Sequence, residues 1–298
     1  MAQSHHKYNY TAHVMGCDFD VSIVTMRESV ANALYARALM IAQSYEQTFS
    51  RFLPQSELSI LNLTKQITPS KRFLRVITRA RDLYHETNHL CNPLVQIARY
   101  GYTTSFDTIK ESHRTCDTTS PNCDFDAVDI TPSQITLRDD QRLDFAAFLK
   151  GAVAQRIARE LFAHDAISGI VINIGGDLST YGTDAHGAPF TIFIENPITN
   201  EDHVITLMNT TLATSGTMRR HWTCNDTDVH HILTPMHHRN PTTKLVSASV
   251  ILPDGARSDA FATVAIILGT TKAEQFLTKH DARFLLITTD GTITKNMT

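Results

Sequence analysis

The stretch Ser258–Gly269, "SDAFATVAIILG", is apolar on nearly every side, so the helix it predicts has to be buried in a substantial core. Two polar side chains interrupt it. Asp259 and Thr263 stand four residues apart, and helical geometry puts such a pair one above the other on a single face. Two readings are open. Ser258 or Asp259 caps the helix, Thr263 bonds back to a carbonyl and Gly269 ends the element. Alternatively, the two oxygens share a hard cation such as Mg²⁺, which takes oxygen ligands and keeps waters or substrate phosphate oxygens around it.

With 298 residues and 42% hydrophobic content, the chain can bury such a core as one large domain or two intimately packed lobes. The formal charge of -3, with Lys and Arg scattered, gives no basic stripe and argues against a nucleic-acid partner. The opening "MAQSHHKYNY" lacks the apolar run of a secretory signal, and no apolar run long enough for a membrane span occurs, so the expectation is a cytoplasmic protein without a membrane partner. Cys17, Cys91, Cys116, Cys123 and Cys224 are odd in number and widely spaced, which reads as free thiols with neither a disulfide framework nor a zinc ribbon. The doublets His5-His6, His230-His231 and His237-His238 raise a zinc site, but without paired cysteines or an H-E-x-x-H helix they do not define one.

Local patterns give the order of elements. "HVMGCDFDVSIVT" reads as a strand, and helical spacing predicts a long helix through to Phe49. Pro54 breaks the pattern, and Ser56 can cap a short helix carrying Glu57, Leu58 and Leu61. "SKRFLRVITRARDLYHETN" is amphipathic. The polar segment 103–122 is a candidate mobile loop or lobe boundary within a single domain over 1–298. Two β segments follow, joined at Pro132-Ser133, then a helix beginning near Lys150. "GIVINIGGDLSTYG" is a buried strand ending in a Gly pair, with "APFTIFIENP" and "DHVITLMNTTLATSG" expected as its antiparallel neighbours. "KLVSASVILP", the apolar helix and a strand pair around "FLLITTDGTIT" complete the chain. Strands and helices mix without strict βαβ alternation, which predicts an α+β fold.

Three further constellations could carry chemistry. Gly175-Gly176 lets backbone approach a ligand and offers amide donors to an anion, or is simply a tight turn or bulge. In "RLDFAAFLKGAVAQ", Asp144, small residues and Lys150 line one loop, and a lysine at a helix amino terminus makes sense if an anion sits there. Ser215-Gly216 follows a strand, and His230-His231 heads an apolar segment where a histidine could act as general base or serve only the structure.

In order, "MGCDF", "FSRFLPQSELSILN", "CNPLV", "LDFAAFLKG", "INIGGDL", "TSGTMRR", "HHILTP" and "SDAFAT" resemble the successive motifs of the ApbE family, the FAD:protein FMN transferases. The resemblance implies a T-fold-related α+β architecture of mixed sheets and packed helices. It also implies Mg²⁺-dependent transfer of FMN from FAD to a Thr or Ser hydroxyl of a partner protein, with release of AMP. By the same resemblance Asp259, Thr263 and the backbone at Ala147 hold Mg²⁺, and His231 takes the acceptor's proton. Met15, Phe52, Glu57, Asn62, Cys91, Asn92, Asp144, Lys150, Gly175, Gly176, Ser215, Gly216 and Ile232 match positions around FAD. The chain departs from the family at Phe52, commonly Tyr, at Asn92, commonly a carboxylate, and at Thr234 and Met236, commonly Asp and Arg. Those departures bear on substrate geometry and partner preference. The implied partner is a cytoplasmic flavoprotein of fumarate-reductase-like kind. An FAD pyrophosphatase giving FMN and AMP, or a flavin-binding protein without turnover, are the alternatives.

Overall fold

Two nine-residue runs that alternate in polarity, "HKYNYTAHV" and "CDFDVSIVT", open the computed structural model as a hairpin of β1 (His6–Val14) and β2 (Cys17–Thr25). The reading of one strand from His13 to Thr25 is thereby corrected. Met15 and Gly16 both have positive φ (56° and 69°), the backbone of a two-residue hairpin turn. A non-glycine residue there costs about 1–2 kcal/mol, partly offset because the Met15 amide donates to Glu46 Oε1 at 2.8 Å. The structure describes residues 5–104, 116, 117, 119 and 121–297; the loop expected over 103–122 lies largely outside the described residues.

Glu46 belongs to α1 (Glu28–Phe49), which ends where the periodicity places it and buries Ala31, Leu34, Ala38, Ile41, Ala42, Tyr45 and Phe49. Ser56 caps α2 (Glu57–Thr64), accepting from the Ser59 amide at 2.9 Å. Ser70 does the same for α3 (Lys71–Glu86) through Phe73. The short strands β3 (Gln66–Ile67), β4 (Asp129–Ile130) and β5 (Ile135–Thr136) form a small sheet in the order β3-β5-β4. Helix α4 (Leu149–Phe162) then leads into β6 (Ile167–Ile174) and β7 (Asp177–Gly182). Gly175-Gly176 is the turn between those two strands rather than the end of one.

A second correction concerns β8 (Phe190–Glu195) and β9 (Asp202–Leu207), which pair only with each other. The chain turns at Asn209, φ 55°, before β10 (Thr210–Gly216), the strand that does pair with β7. A small hairpin, β11 (His221–Cys224) and β12 (Thr227–His230), precedes β13 (Leu245–Leu252), α5 (Gly255–Leu268), α6 (Thr270–Lys279), β14 (Arg283–Thr288) and β15 (Ile293–Lys295). The main sheet runs β1-β2-β6-β7-β10-β13-β14-β15 with every neighbouring pair antiparallel, so the fold is α+β as expected.

The apolar helix is α5. It packs on β10 and β13, flanked by α4 and α6, so little of it is left to water, only Arg257, Thr263, Ile267 and Leu268 being partly exposed, and β13 itself is buried along all eight residues. Its amino-terminal cap is Asp254, which accepts from the Arg257 amide at 3.1 Å, so neither Ser258 nor Asp259 caps. Helices α4 and α5 cross at Gly151 and Gly255. A Cβ on Gly151 would stand 2.3 Å from the Gly255 carbonyl oxygen, and one on Gly255 would stand 2.2 Å from the Gly151 carbonyl oxygen. Both obstacles are backbone, so neither can step aside. Gly151→Ala is therefore expected to cost about 1–3 kcal/mol by forcing the helices apart, read as a lower urea midpoint; an unchanged midpoint would show that the crossing is looser than this.

Cys116 and Cys224 form a disulfide with Cα atoms 5.9 Å apart, which corrects the reading of all five cysteines as free; Cys17, Cys91 and Cys123 are free thiols. Among the described residues no helix is long and apolar enough to cross a membrane.

Candidate functional site

Behind the Gly175-Gly176 turn, the α4–α5 crossing gathers a buried polar cluster. Lys150, in the first turn of α4, extends its ammonium to the carboxylate of Asp177, the first residue of β7, which is 1% exposed. The anion anticipated near Lys150 is thus a protein carboxylate. Burial alone would lower the lysine's pKa, but the carboxylates of Asp177 and Asp259 outweigh it and hold the pKa above its usual value. Asp259, 3% exposed, accepts from the Gly151 amide at 3.1 Å, a partner 108 residues away. Burial and the nearby Asp177 push its carboxyl up to about 8, against the opposing pull of Lys150 and the Gly151 amide. One turn further along α5, Thr263 Oγ1 lies 3.0 Å from Ser215 Oγ at the end of β10. Four of the expected residues, Lys150, Ser215, Asp259 and Thr263, therefore share one neighbourhood.

The glycine turn supplies close approach rather than free donors. The Gly175 amide donates to Asp18 O and the Gly176 amide to Asn173 Oδ1, both at 2.9 Å. A Cβ on Gly175 would come within 2.9 Å of the Cys17 side chain, whereas above Gly176 the space is open.

A second patch adjoins through the loop that carries Asp144 and Ala147. Arg51 lies with its guanidinium 4.2 Å from the centroid of the Phe52 ring and 4.6 Å from that of Tyr102, and its Nε pairs with Asp144 Oδ2 at 3.2 Å. Phe52 is 41% exposed, which leaves ring surface for a planar ligand. Arg51 thus joins Phe52 to Asp144.

His231 follows β12. Its Nδ1 lies 3.4 Å from the Arg220 carbonyl, an oxygen that can only accept, so the ring proton belongs on Nδ1 and the lone pair on Nε2. Burial first, then the charge of Arg220, lowers its pKa to about 3, with Lys150 adding to the effect. Asn240 clamps this segment: its Oδ1 accepts from the His230 amide at 3.1 Å, and its Nδ2 donates to the carbonyls of His230 and Ile232 at 2.7 and 2.8 Å. Ile232 is buried.

Other expected residues are engaged by the fold. Glu57 Oε1 accepts from the Ser70 amide at 2.6 Å. Asn62 binds both backbone groups of Leu143, and Asn92 accepts from the Leu94 amide and donates to the Cys123 carbonyl. Cys91 is buried, its thiol pushed up to about 12 by burial and by Asp259. Gly216 ends β10 beside Val246. Sequence reasoning overlooked Arg51, Asp177, Arg220 and Asn240. Only Asp177 carried a local signal, an acid directly after the glycine pair.

An antiparallel α+β fold with a lysine and two carboxylates buried under a glycine turn is the class of protein to which the comparisons also lead. The ApbE family model matches residues 15–286, and the chain belongs to that family. An FAD:protein FMN transferase of Klebsiella pneumoniae is 23% identical over 291 residues, covering 93% of this chain and 83% of the relative. One of Salmonella typhimurium is 28% identical over 155 residues, covering 51% of this chain and 44% of the relative, so this chain aligns with under half of that protein's length. The crystal structure of the apo form of Pseudomonas stutzeri flavinyl transferase ApbE superposes with a TM-score of 0.83 at 16% identity, over 99% of this chain and 96% of that one, a likeness of fold.

Proposed function

We propose that this chain transfers the FMN half of FAD to a Thr or Ser hydroxyl of a flavoprotein, using Mg²⁺ and releasing AMP. The observation that carries the reading is the buried Lys150–Asp177–Asp259 cluster under the Gly175-Gly176 turn, with Thr263 and Ser215 beside it. Family membership and the names of the relatives support it.

Asp259, Thr263 and the Ala147 carbonyl are the oxygen donors that would hold Mg²⁺. The donor set fits, since two buried carboxylates lie near a single ammonium, and burial together with the nearby Asp177 pushes the Asp259 carboxyl up to about 8. Bound there, the ion would neutralise charge on the diphosphate and the departing AMP. Lys150, held by Asp177, presents a fixed cation to the same phosphates, and Gly176 lets them approach the backbone. Phe52 offers its ring to the isoalloxazine. His231 Nε2 accepts the acceptor's proton as the hydroxyl oxygen bonds to the FMN phosphorus and the bond to the AMP phosphate breaks. A ring lowered to about 3 is always neutral but a weak base, and the anionic diphosphate beside it would raise it toward working pH. The acceptor in this reading is a cytoplasmic flavoprotein of fumarate-reductase-like kind.

Incubation with FAD, Mg²⁺ and an acceptor carrying the family-type Thr motif is expected to give a fluorescent acceptor band and equimolar AMP. His231→Ala should slow both by about 10²–10⁴-fold while FAD binding, read by quenching of flavin fluorescence, persists. Free FMN without a labelled acceptor would replace transfer by hydrolysis.

A further inference from the structure

Away from that cluster, the carboxyl end of α3 brings together two histidines and an aspartate. His85, His89 and Asp126 are exposed, and one donor atom from each lies within 4.8 Å of the others. His85 Nε2 stands 3.1 Å from Asp126 Oδ1. We propose that these three side chains bind a borderline divalent transition-metal ion, of which Zn²⁺ is the type.

The backbone holds the set in place. After Thr87 the helix closes in a Schellman turn: the Asn88 amide donates to the His85 carbonyl at 3.1 Å and the His89 amide to the Tyr84 carbonyl at 2.7 Å. Asn88 and His89 take φ of 50° and 70°. That reversal lays the His89 ring flat on Tyr84, with centroids 4.1 Å apart and planes 8° apart, and beside His85 at 5.9 Å. Asp126 is fixed from the other side. Its neighbour Phe125 is fully buried and packs edge-on against Tyr84 at 5.6 Å, while Arg81 of α3 donates to the Val128 carbonyl at 2.7 Å. One buried ring, Tyr84, thus sets the positions of ligands from two segments.

Two imidazoles and a carboxylate are a donor set suited to zinc, which prefers four tetrahedral ligands at about 2.0–2.2 Å, so donors about 3.4 Å apart. The His85–Asp126 pair already meets that spacing, and rotation of exposed side chains closes the rest. Water takes the fourth position. An ion pair between half-exposed groups contributes little stability by itself, so the ordered placement points to a ligand rather than to the fold. On binding, His85 offers the Nε2 lone pair to the metal, and any proton it carried there is released to solvent.

Calorimetric titration of the full chain with ZnCl₂ in Mg²⁺-containing buffer, and Co²⁺ absorption as a geometric probe, test the assignment. The expected result is one zinc per chain with tetrahedral Co²⁺ bands. Affinity should fall by roughly tenfold or more in each of His85→Ala, His89→Ala and Asp126→Asn, and His237→Ala should bind normally. Circular dichroism in chelator verifies that the variants are folded. Binding that is absent, or that survives in both His85→Ala and His89→Ala, overturns it. FMN transfer in Mg²⁺ alone should be unchanged in these variants, so this result and the proposed activity stand or fall separately.

Discussion

Asp259→Asn is expected to bind FAD and to release AMP about a thousandfold more slowly than the parent protein in saturating Mg²⁺. The substitution isolates charge from structure. An asparagine keeps an oxygen for the Gly151 amide, now 3.1 Å from the carboxylate, so no buried donor is orphaned. It also removes a carboxyl that burial and Asp177 already disfavour in its ionised form. The variant should therefore be no less stable than the parent and more stable above about pH 4, where the parent's buried carboxyl is held protonated, whereas Asp259→Ala would leave the Gly151 N–H unpaired and be about 1–3 kcal/mol less stable than Asp259→Asn. A folded Asp259→Asn variant with undiminished, Mg²⁺-dependent AMP release would remove this residue from the proposed metal site. Measuring AMP release and urea unfolding on the same preparations separates the two effects.

That prediction begins from a pair legible in the sequence, because the helical repeat alone puts Asp259 and Thr263 on one face. Elements set by local signals were equally legible: α1 stops at Phe49, and Ser56 caps the helix that follows it. The hairpin at Met15-Gly16 was not, since methionine is no turn former and its positive φ depends on Glu46, 31 residues on. The separation of β8 and β9 from the main sheet is a matter of long-range pairing, on which the alternation of either strand is silent. The site divides the same way. Lys150 signalled an anion by standing at a helix amino terminus, but that the anion is Asp177 follows from the β6–β7 hairpin folding under α4. Arg51, Arg220 and the Cys116–Cys224 bond exist only once distant segments meet.

Stability in a chelating buffer should peak near pH 6.5 and fall on acidification by about 2–3 kcal/mol per pH unit down to about pH 4. Three histidines carry most of the fall, and His280, lowered mainly by burial, adds to it in the same direction. Burial is the main reason that His238 and His230 are lowered to about 4 and His231 to about 3. Hydrogen bonding adds a local reason, since His238 Nε2 accepts from the Gln96 amide at 2.9 Å and His230 Nδ1 from the Ile232 amide at 3.2 Å, and a protonated ring can do neither. Below about 6.5 the unfolded chain therefore binds three protons that the folded chain refuses, so the folded state loses ground as pH drops. Asp259 works in the opposite sense. Its folded value near 8 lies above the unfolded value, so between about 4 and 8 the folded state holds one proton that the unfolded state has lost. Three protons less one leaves two, at about 1.4 kcal/mol each per pH unit. His230 and His231 keep some contact with water, which trims the slope toward its lower bound. Above about 6.5 only the Asp259 contribution remains and stability declines gently. Urea unfolding at several pH values, repeated on Asp259→Asn, reads the sum and its parts: the variant should lose the decline above 6.5 and steepen below it by about one proton's worth. A parent protein whose stability stays level from pH 6.5 to 4.5 would mean that these rings take up protons without cost, and that the hydrogen bonds they accept do not hold the segment presenting His231.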